Sequence, residues 1–380
     1  LVFIVKKKFD IVGIDNNFRK FFFGDEASTS WKLDELKEKN KNYVHFDIDI
    51  RNNNKLEKIF KKYNNDISLI IHCAAQPSHD WSIKDPQMDF SINANGTLNL
   101  LENTRKYSSN AVFIFCSTNK VYGDSPNKLP LIELSKRWEI EDSHDYFFGI
   151  DEKMSVDSSI HSLFGASKLA ADILVQEYGK YFNLKTTCFR GGCLTGPDHS
   201  GAMLHGFLSY LMKCSILKKK YIINGYKGKQ VRDNIHSHDL VQAFDLVFNK
   251  PNFGEVFNIG GGREINCSIL EAIDICNNIS GNKLEIEFSD NPRIGDHIWW
   301  IGDISKFQQH YPKWRLTYNL DNIIEDVPSN NKYRPGFSTG MMTKDLKLAI
   351  ECAKEVKASI PLGSASLDIF NKFCEDGYSN

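Results

Sequence analysis

The sequence lacks any apolar run approaching the roughly 20 residues of a membrane-spanning helix, and no signal peptide is visible. It lacks an excess of either charge. Its 47 Lys and Arg against 48 Asp and Glu leave a formal net charge of -1. That gives no electrostatic case for nucleic acid or an anionic membrane as partner. The nine cysteines include no CxxC pair and no Cys/His cluster, so no metal site is expected. The count is odd, and Cys73, Cys116 and Cys188 sit inside apolar runs. Buried thiols in a reducing compartment are therefore expected, with the cytoplasm as the location. What is present is the composition of a globular protein: 41% hydrophobic and 25% charged residues over 380 positions. At roughly 100–200 residues per domain, that length allows two or three domains.

A further absence bears on the fold. A dinucleotide-binding domain opens with a strand and a Gly-x-x-Gly-x-x-Gly loop, whose bare backbone approaches a pyrophosphate at a helix N-terminus. No such loop precedes Phe9. Residues 1–8 (LVFIVKKK) are apolar and then basic, like the last turns of a helix. The chain begins with Leu, and it is expected to start inside the first helix, after the loop. Residues 9–14 (FDIVGI) then read as a strand followed by Asp15. An acidic residue ending the second strand of such a fold accepts hydrogen bonds from the adenosine ribose and favours NAD. Arg19 leaves service to a 2′-phosphate open. Further strands are expected at 44–50 and 69–75, and helices at 56–63 and 90–107.

Two stretches organise the chain. VFIFCSTNKVYG (112–123) begins with a continuous apolar run, the pattern of a parallel strand covered on both faces. It ends in Ser117 and Thr118, at the strand end where open α/β sheets hold ligands. HSLFGASKLAAD (161–172) reads as a helix with Phe164 and Lys168 on one face. A hydroxyl facing a helical Lys is the skeleton of an alcohol–ketone redox site.

This pair resembles the active site of extended short-chain dehydrogenase/reductases, which carry Ser/Thr on a strand and Tyr-x-x-x-Lys on the next helix. STNKVYG is most similar to the nucleotide-sugar epimerases of the CDP-tyvelose (CDP-paratose) 2-epimerase branch. Related dehydratases place Asp-Glu after the Thr to expel water; Asn119 and Lys120 stand there instead. The family's Tyr is Phe164 here, and a benzyl ring cannot transfer a proton. The resemblance implies that Thr118, Phe164 and Lys168 occupy the catalytic positions. It implies NAD contacts from Asp15, Asn16 and Arg19, from Asp49 and Ile50 at the adenine edge, and from Ala74, Ala75 and Gln76 under the phosphates. Asn93, Ser117, Lys168 and Arg190 complete that expected set. Substrate contacts fall to Asn119, to Arg232 of an RDxxHxxD signature, and to Arg293 of Arg-x-Gly-Asp. Both arginines are expected to clamp a diphosphate, which suits a planar guanidinium better than an ammonium. Trp299 and Trp300 read as core.

Residues 124–159 form a long polar connection expected to reach toward the sugar site. From Ser200 the character changes, with a helix expected at 202–217 and a short strand at 221–223. A composition break at Val327-Pro328 precedes a tail that resembles the C-terminal end of 3-hydroxyisobutyrate dehydrogenases, with Gly-Phe-x-Thr, Lys-Asp-Leu-x-x-Ala, Pro-Leu-Gly and Asp-Gly-Tyr-Ser. Helices are expected there at 343–356 and 362–376, with Lys344 as a solvated surface residue. The expected fold is α/β: a doubly wound Rossmann-type parallel sheet lacking its first strand and glycine loop (1–200), a smaller α/β substrate domain (201–327) and an appended helical fragment (328–380). The expected function is NAD-dependent epimerisation of a nucleotide-diphosphate sugar by transient oxidation and hydride return. The alternatives are a catalytically impaired sugar-nucleotide or NAD-binding protein, or a hydroxyacid dehydrogenase. A homodimer or higher homo-oligomer stays open.

Overall fold

The computed structural model describes residues 9–199, 201, 206–290, 295–327, 343, 346, 347, 350, 353 and 361–375. The expectations for residues 1–8, Arg293 and Lys344 lie outside them.

The first part alternates strand and helix: β1 (Ile11–Ile14), α1 (Phe18–Phe23), α2 (Ser30–Lys39), β2 (Tyr43–Phe46), α3 (Asn53–Tyr63) and β3 (Leu69–His72). Next come α4 (His79–Lys84), α5 (Pro86–Phe90), a π-turn over Ser91–Asn95, α6 (Gly96–Tyr107) and β4 (Val112–Thr118). A hairpin of β5 (Leu131–Glu133) and β6 (Trp138–Ile140) precedes α7 (Leu163–Phe182) and β7 (Lys185–Gly191). Then come β8 (Cys193–Thr195), α8 (Phe207–Leu217), β9 (Tyr221–Asn224), β10 (Val231–His236), α9 (Ser237–Asn249), β11 (Glu255–Ile259) and β12 (Asn266–Ser268). The remainder holds α10 (Ile269–Ser280), β13 (Ile286–Ser289), β14 (Trp299–Trp300), α11 (Ser305–His310), α12 (Leu320–Glu325) and α13 (Pro361–Glu375).

The strands β3, β4, β7 and β11 form one wholly parallel sheet in the order β11-β7-β4-β3. Separately, β1 and β2 pair in parallel. A doubly wound sheet would seat its first strand between β1 and β3, and among the described residues no strand joins them. The expected Rossmann-type architecture is therefore present, with that strand not among the described residues. Its centre is β4, where Val112 to Phe115 are buried. Residues of β4 pack between α7 and α6 on one face and the α9–α11 side on the other. That double cover explains the unbroken apolar run. The helix α7 starts where Ser162 caps it, its side chain accepting from the Gly165 N–H at 3.0 Å.

The second part centres on β10. It pairs antiparallel with β12 and parallel with β8 and β14, while β9 and β13 form a two-stranded ribbon. Leu211, Ile223, Ile273 and Ile324 share its core. Trp299 and Trp300 are fully buried, as expected.

Several expected elements are corrected. The strand expected over 44–50 stops at Phe46, because Asp49 turns to its neighbour Arg51. The strand expected over 69–75 stops at His72. The helix expected over 90–107 is present and continuous, with a π-helical turn at Ser91–Asn95, a kind of distortion common at functional sites. The connection 124–159 is not unstructured, since it holds the β5–β6 hairpin. The helix expected from 202 is described only from Phe207. In the tail, α13 matches the second expected helix within a residue at each end.

Candidate functional site

The site lies at the carboxyl end of β4. Successive strand residues face opposite sides, and the last two hydroxyls part accordingly. Ser117 turns inward, its Oγ donating to Asp172 Oδ2 at 2.5 Å. Thr118 turns toward the strand end, half-buried, where its Oγ1 accepts from the Lys120 N–H at 3.3 Å. The side chain of Asn119 is buried beside it.

From α7, Lys168 is only 4% exposed. Its Nζ donates to the Cys116 carbonyl at 2.9 Å and stands 4.2 Å from the Phe115 ring centroid. Burial lowers its pKa, with partial compensation from the thiols and Asp172 around it. One turn earlier, Phe164 is buried with its ring edge-to-face against His79, centroids 4.9 Å apart. His79 opens α4 and was not singled out from the sequence. The available signal was a histidine in the turn after a buried strand, one residue past a Ser that caps α4 by accepting from the Trp81 N–H.

A charged trio closes the far side. Arg232 Nη2 donates to Asp296 Oδ1 at 2.5 Å, and Lys120 Nζ reaches the same oxygen at 3.4 Å and the Gly295 carbonyl at 3.0 Å. Burial pushes Lys120 down to about 8, against the pull of Asp296. Burial raises the Asp296 carboxyl, but Arg232 and Lys120 together outweigh it and hold it far below the usual range. Lys120 was not among the expected substrate contacts; its position after Asn119 was the signal.

Other expected contacts are turned elsewhere. Arg190 is buried in an ion pair with Asp172, Nη2 to Oδ1 at 2.8 Å and Nε to Oδ2 at 3.1 Å. Its Nη1 donates to the Tyr122 hydroxyl at 3.1 Å. Gln76 and Asn93 are buried and brace one another. The Gln76 N–H donates to Asn93 Oδ1 at 2.9 Å, and Asn93 Nδ2 donates to Ser167 Oγ at 2.9 Å. They fix the loop after β3 against α7 rather than facing outward. Of the remaining RDxxHxxD residues, Asp233 is buried and accepts from the Gly302 N–H, His236 contacts Asp326, and Asp239 holds Thr317.

On the β1–β2 pair, Asp15 follows β1 with its carboxylate exposed, accepting from the Asn17 N–H at 2.6 Å. Asn16 Oδ1 lies 3.4 Å from the Phe18 N–H. Arg19 lies over the Phe23 ring, and burial lowers its pKa. Asp49 is held by Arg51, Nη2 to Oδ2 at 2.6 Å. Ile50 is buried under Gly96, where an added Cβ would meet its Cδ1 at 2.5 Å. A shallow polar recess of about 540 Å³ lies beside them, lined by Asp49, Arg51 and Asn52 to Asn54.

Between these two regions, Cys73 and Ala74 are exposed and Ala75 half-buried at the carboxyl end of β3. Cys73 is thus not the buried thiol expected. Its Sγ lies 3.3 Å from that of Cys116, and both remain thiols. Among the described residues, no group of His, Cys, Asp and Glu could hold a metal ion. No described helix is long and apolar enough to cross a membrane.

These residues fit a dinucleotide at its two riboses. The exposed Asp15 carboxylate suits one diol. Lys168 has one acceptor among the described residues, which leaves ammonium protons for the other. The small, open strand end at 73–75 provides the floor between. The glycine cradle for the pyrophosphate is not among the described residues.

Two imidazoles, His72 and His297, are buried, and a third, His199, is half-buried; desolvation disfavours the charged form of each. His72 donates from Nε2 to Thr97 Oγ1 at 2.8 Å, since that hydroxyl's own proton goes to the Asn93 carbonyl. Burial, aided by Lys168, lowers it to about 3. Burial lowers His199 to about 4 and His297 well below its usual value. An imidazole whose folded pKa lies below the unfolded ~6.5 costs no stability above that pH and costs stability as pH falls through it. Asp233, raised by burial to about 7, and Asp89 and Glu152, also raised by burial, work the other way and offset part of this. Urea midpoints should therefore drop between pH 6.5 and 5, and a flat midpoint over that range would show that these imidazoles accept protons within the fold.

The family described as "NAD dependent epimerase/dehydratase family" matches residues 6–260. A second, described as "NAD-binding of NADP-dependent 3-hydroxyisobutyrate dehydrogenase", matches residues 317–380, starting eleven residues before the composition break at 328. CDP-paratose 2-epimerase of Salmonella typhi is 34% identical over 316 residues, 80% of this chain and 87% of that protein. A putative UDP-glucose 4-epimerase of Methanocaldococcus jannaschii is 28% identical, covering 79% of this chain and 90% of its own. Among solved structures, UDP-glucuronic acid 4-epimerase of Bacillus cereus, in complex with UDP-glucuronic acid and NAD, superposes with a TM-score of 0.69 at 24% identity, covering 88% of this chain and 94% of that one. UDP-glucose 4-epimerase of Thermotoga maritima gives 0.68 at 22% identity, covering 87% and 94%.

Proposed function

The chain belongs to the NAD-dependent epimerase/dehydratase family, and from that premise we propose that it epimerises a nucleotide-diphosphate sugar, as CDP-paratose 2-epimerase does. The cofactor is NAD. It would be held by Asp15 at the adenosine ribose and Lys168 at the nicotinamide ribose, and it supplies a reversible hydride acceptor.

The observation that carries epimerisation over dehydration is the content of the site beside Thr118. The two residues after it are a buried amide, Asn119, and an ammonium, Lys120, with no carboxylic acid to protonate a leaving hydroxyl. The same ammonium and Arg232 converge on one carboxylate, so the trio carries a surplus positive charge suited to a diphosphate. Thr118 Oγ1 would hydrogen-bond the reacting hydroxyl and orient it. Lys168, dry and cationic, raises the local potential and favours a hydroxyl proton's departure. The domain boundaries proposed with this reading are 1–200, 201–327 and 328–380. The keto intermediate stays bound by its diphosphate while its ring turns over.

The test is product analysis of CDP-, UDP- and dTDP-sugars deuterated at the carbinol carbon. The expected result is an epimer that keeps its deuterium, with no exchange into solvent. Loss of water from the sugar, or release of deuterium, would remove the epimerase reading.

A further inference from the structure

Two thiols meet at the strand ends that floor the site. The register of β3 against β4 sets Leu69 beside Val112 and His72 beside Phe115. One step further it sets Cys73 beside Cys116, and residues in register on neighbouring strands face the same side. Their Sγ atoms stand 3.3 Å apart. Adjacent strands run about 4.8 Å apart, inside the Cα separation of about 4.4–6.8 Å that a disulfide spans. Bonded sulfurs lie about 2.05 Å apart, so joining these two needs a movement of about 1.2 Å. Cys188 is no rival for the pairing, since it lies in register with Phe115 and is buried on the opposite face.

The two thiols are unlike. Cys73 is exposed and Cys116 half-buried. Hydrogen bonding from Cys116 holds the Cys73 thiol below its usual pKa against desolvation, and the Lys168 ammonium adds to the effect. The same contact, with burial, pushes Cys116 well up. The negative charge of the pair therefore resides on the accessible sulfur and the proton on its neighbour. An exposed, thiolate-prone cysteine beside a second one that can resolve it is the arrangement of reversible thiol oxidation.

Both residues are tied to the site. Cys73 opens the small segment 73–75 over which the dinucleotide is placed. The Cys116 carbonyl takes the Lys168 ammonium at 2.9 Å, and Thr118 follows two residues on. A cross-link here pulls on the floor and on the anchor of Lys168 together.

We propose that Cys73 and Cys116 form a reversible disulfide that lowers the protein's affinity for its dinucleotide. The pairing stands on the two thiols alone, while its effect rests on the placement of NAD over residues 73–75. The oxidant is a low-molecular-weight disulfide. The Cys73 thiolate attacks one of its sulfurs and expels a small thiolate, leaving a mixed disulfide. Cys116 then attacks the Cys73 sulfur, gives up its proton, and expels the second small thiol. Two protein thiols lose two electrons and two protons, and the small disulfide becomes two thiols. Linkage makes the effect mutual, so bound NAD favours the dithiol by the factor by which the disulfide disfavours NAD.

The experiment incubates the intact protein with oxidised glutathione. Peptides made without reduction are read by mass spectrometry, and NAD is titrated by fluorescence. Wild type is expected to yield a Cys73–Cys116 linked peptide. Its NAD dissociation constant is expected to rise by at least about tenfold and to return with dithiothreitol, since misplacement by about 1 Å costs a site up to about 100-fold. Each variant is compared with its own reduced form. Cys73→Ser should show no rise, and Cys116→Ser should trap glutathione on Cys73. No linked peptide, pairing of Cys73 with a different cysteine, a link that leaves NAD affinity unchanged, or an equal rise in Cys73→Ser would each overturn the proposal. A reduced wild type that binds no NAD would remove the cofactor's placement, and the effect with it, while the peptide masses still decide the pairing.

Discussion

Asp172→Ala is expected to cost about 3–5 kcal/mol of folding stability, a large part of the 5–15 kcal/mol a domain usually has. The Asp172 side chain is fully buried, and it receives Arg190 through two nitrogens, Ser117 Oγ, and Gln176 Nε2 at 2.7 Å. Removing it leaves a guanidinium, 5% exposed, with the Tyr122 hydroxyl as its remaining hydrogen-bond partner among the described residues. The carboxylate holds the Arg190 pKa even higher than usual despite burial, so the cation cannot escape by losing its proton. The second half of the test is Asp172→Leu with Arg190→Met. Replacing both charges by apolar groups should recover most of the loss, since the cost lies in the stranded charge. Urea denaturation decides it: a single variant within about 1 kcal/mol of wild type, or a double variant worse than the single, would mean that water or another group reaches Arg190.

The second large effect is on catalysis. Lys168→Met and Thr118→Val should each lower epimer formation by at least about 100-fold while leaving the fold intact. Methionine nearly matches the length of the Lys stem, and losing the buried ammonium that lies over Phe115 removes a desolvation cost. Circular dichroism and denaturant midpoints should therefore be close to wild type, and Lys168→Met should weaken NAD in a fluorescence titration. Wild-type turnover in both variants would show that the reaction centre is not at the end of β4.

The backbone of this site was legible because two strong patterns specify it. The run at Val112 to Phe115 matches a strand covered on both sides, and the motif after it places Thr118 at the ligand end. Phe164 and Lys168 fall on one helix face for the same elementary reason. What escaped the sequence was the direction of polar side chains. Arg190 sits near the end of β7, where it could face a ligand or the core; a buried acid on α7, eighteen residues earlier, draws it inward. Gln76 was expected under the phosphates and Asn93 among the cofactor contacts, yet the Gln76 amide is taken by Ser78 and Asp89 and the Asn93 amide by the Gln76 backbone and Ser167. Only the partner's position in space decides that choice. Ser117 was foreseeable, since strand alternation sets it opposite Thr118. His79 carried only a weak signal, its place in the turn after β3, because its contact is with Phe164, 85 positions away. The π-turn at Ser91–Asn95 left no trace in an otherwise regular helical pattern.

The trio of Lys120, Asp296 and Arg232 carries two positive charges to one negative. Low-dielectric walls focus such a surplus outward, so it draws in anions before any shape is recognised. Small inorganic anions are drawn by the same field. Phosphate or sulfate in an assay buffer would occupy the trio competitively and inflate the apparent KM, while chloride would act more weakly by screening over a Debye length of about 8–10 Å. A zwitterionic buffer at low ionic strength is therefore the medium in which this protein's true affinity for its substrate would be read.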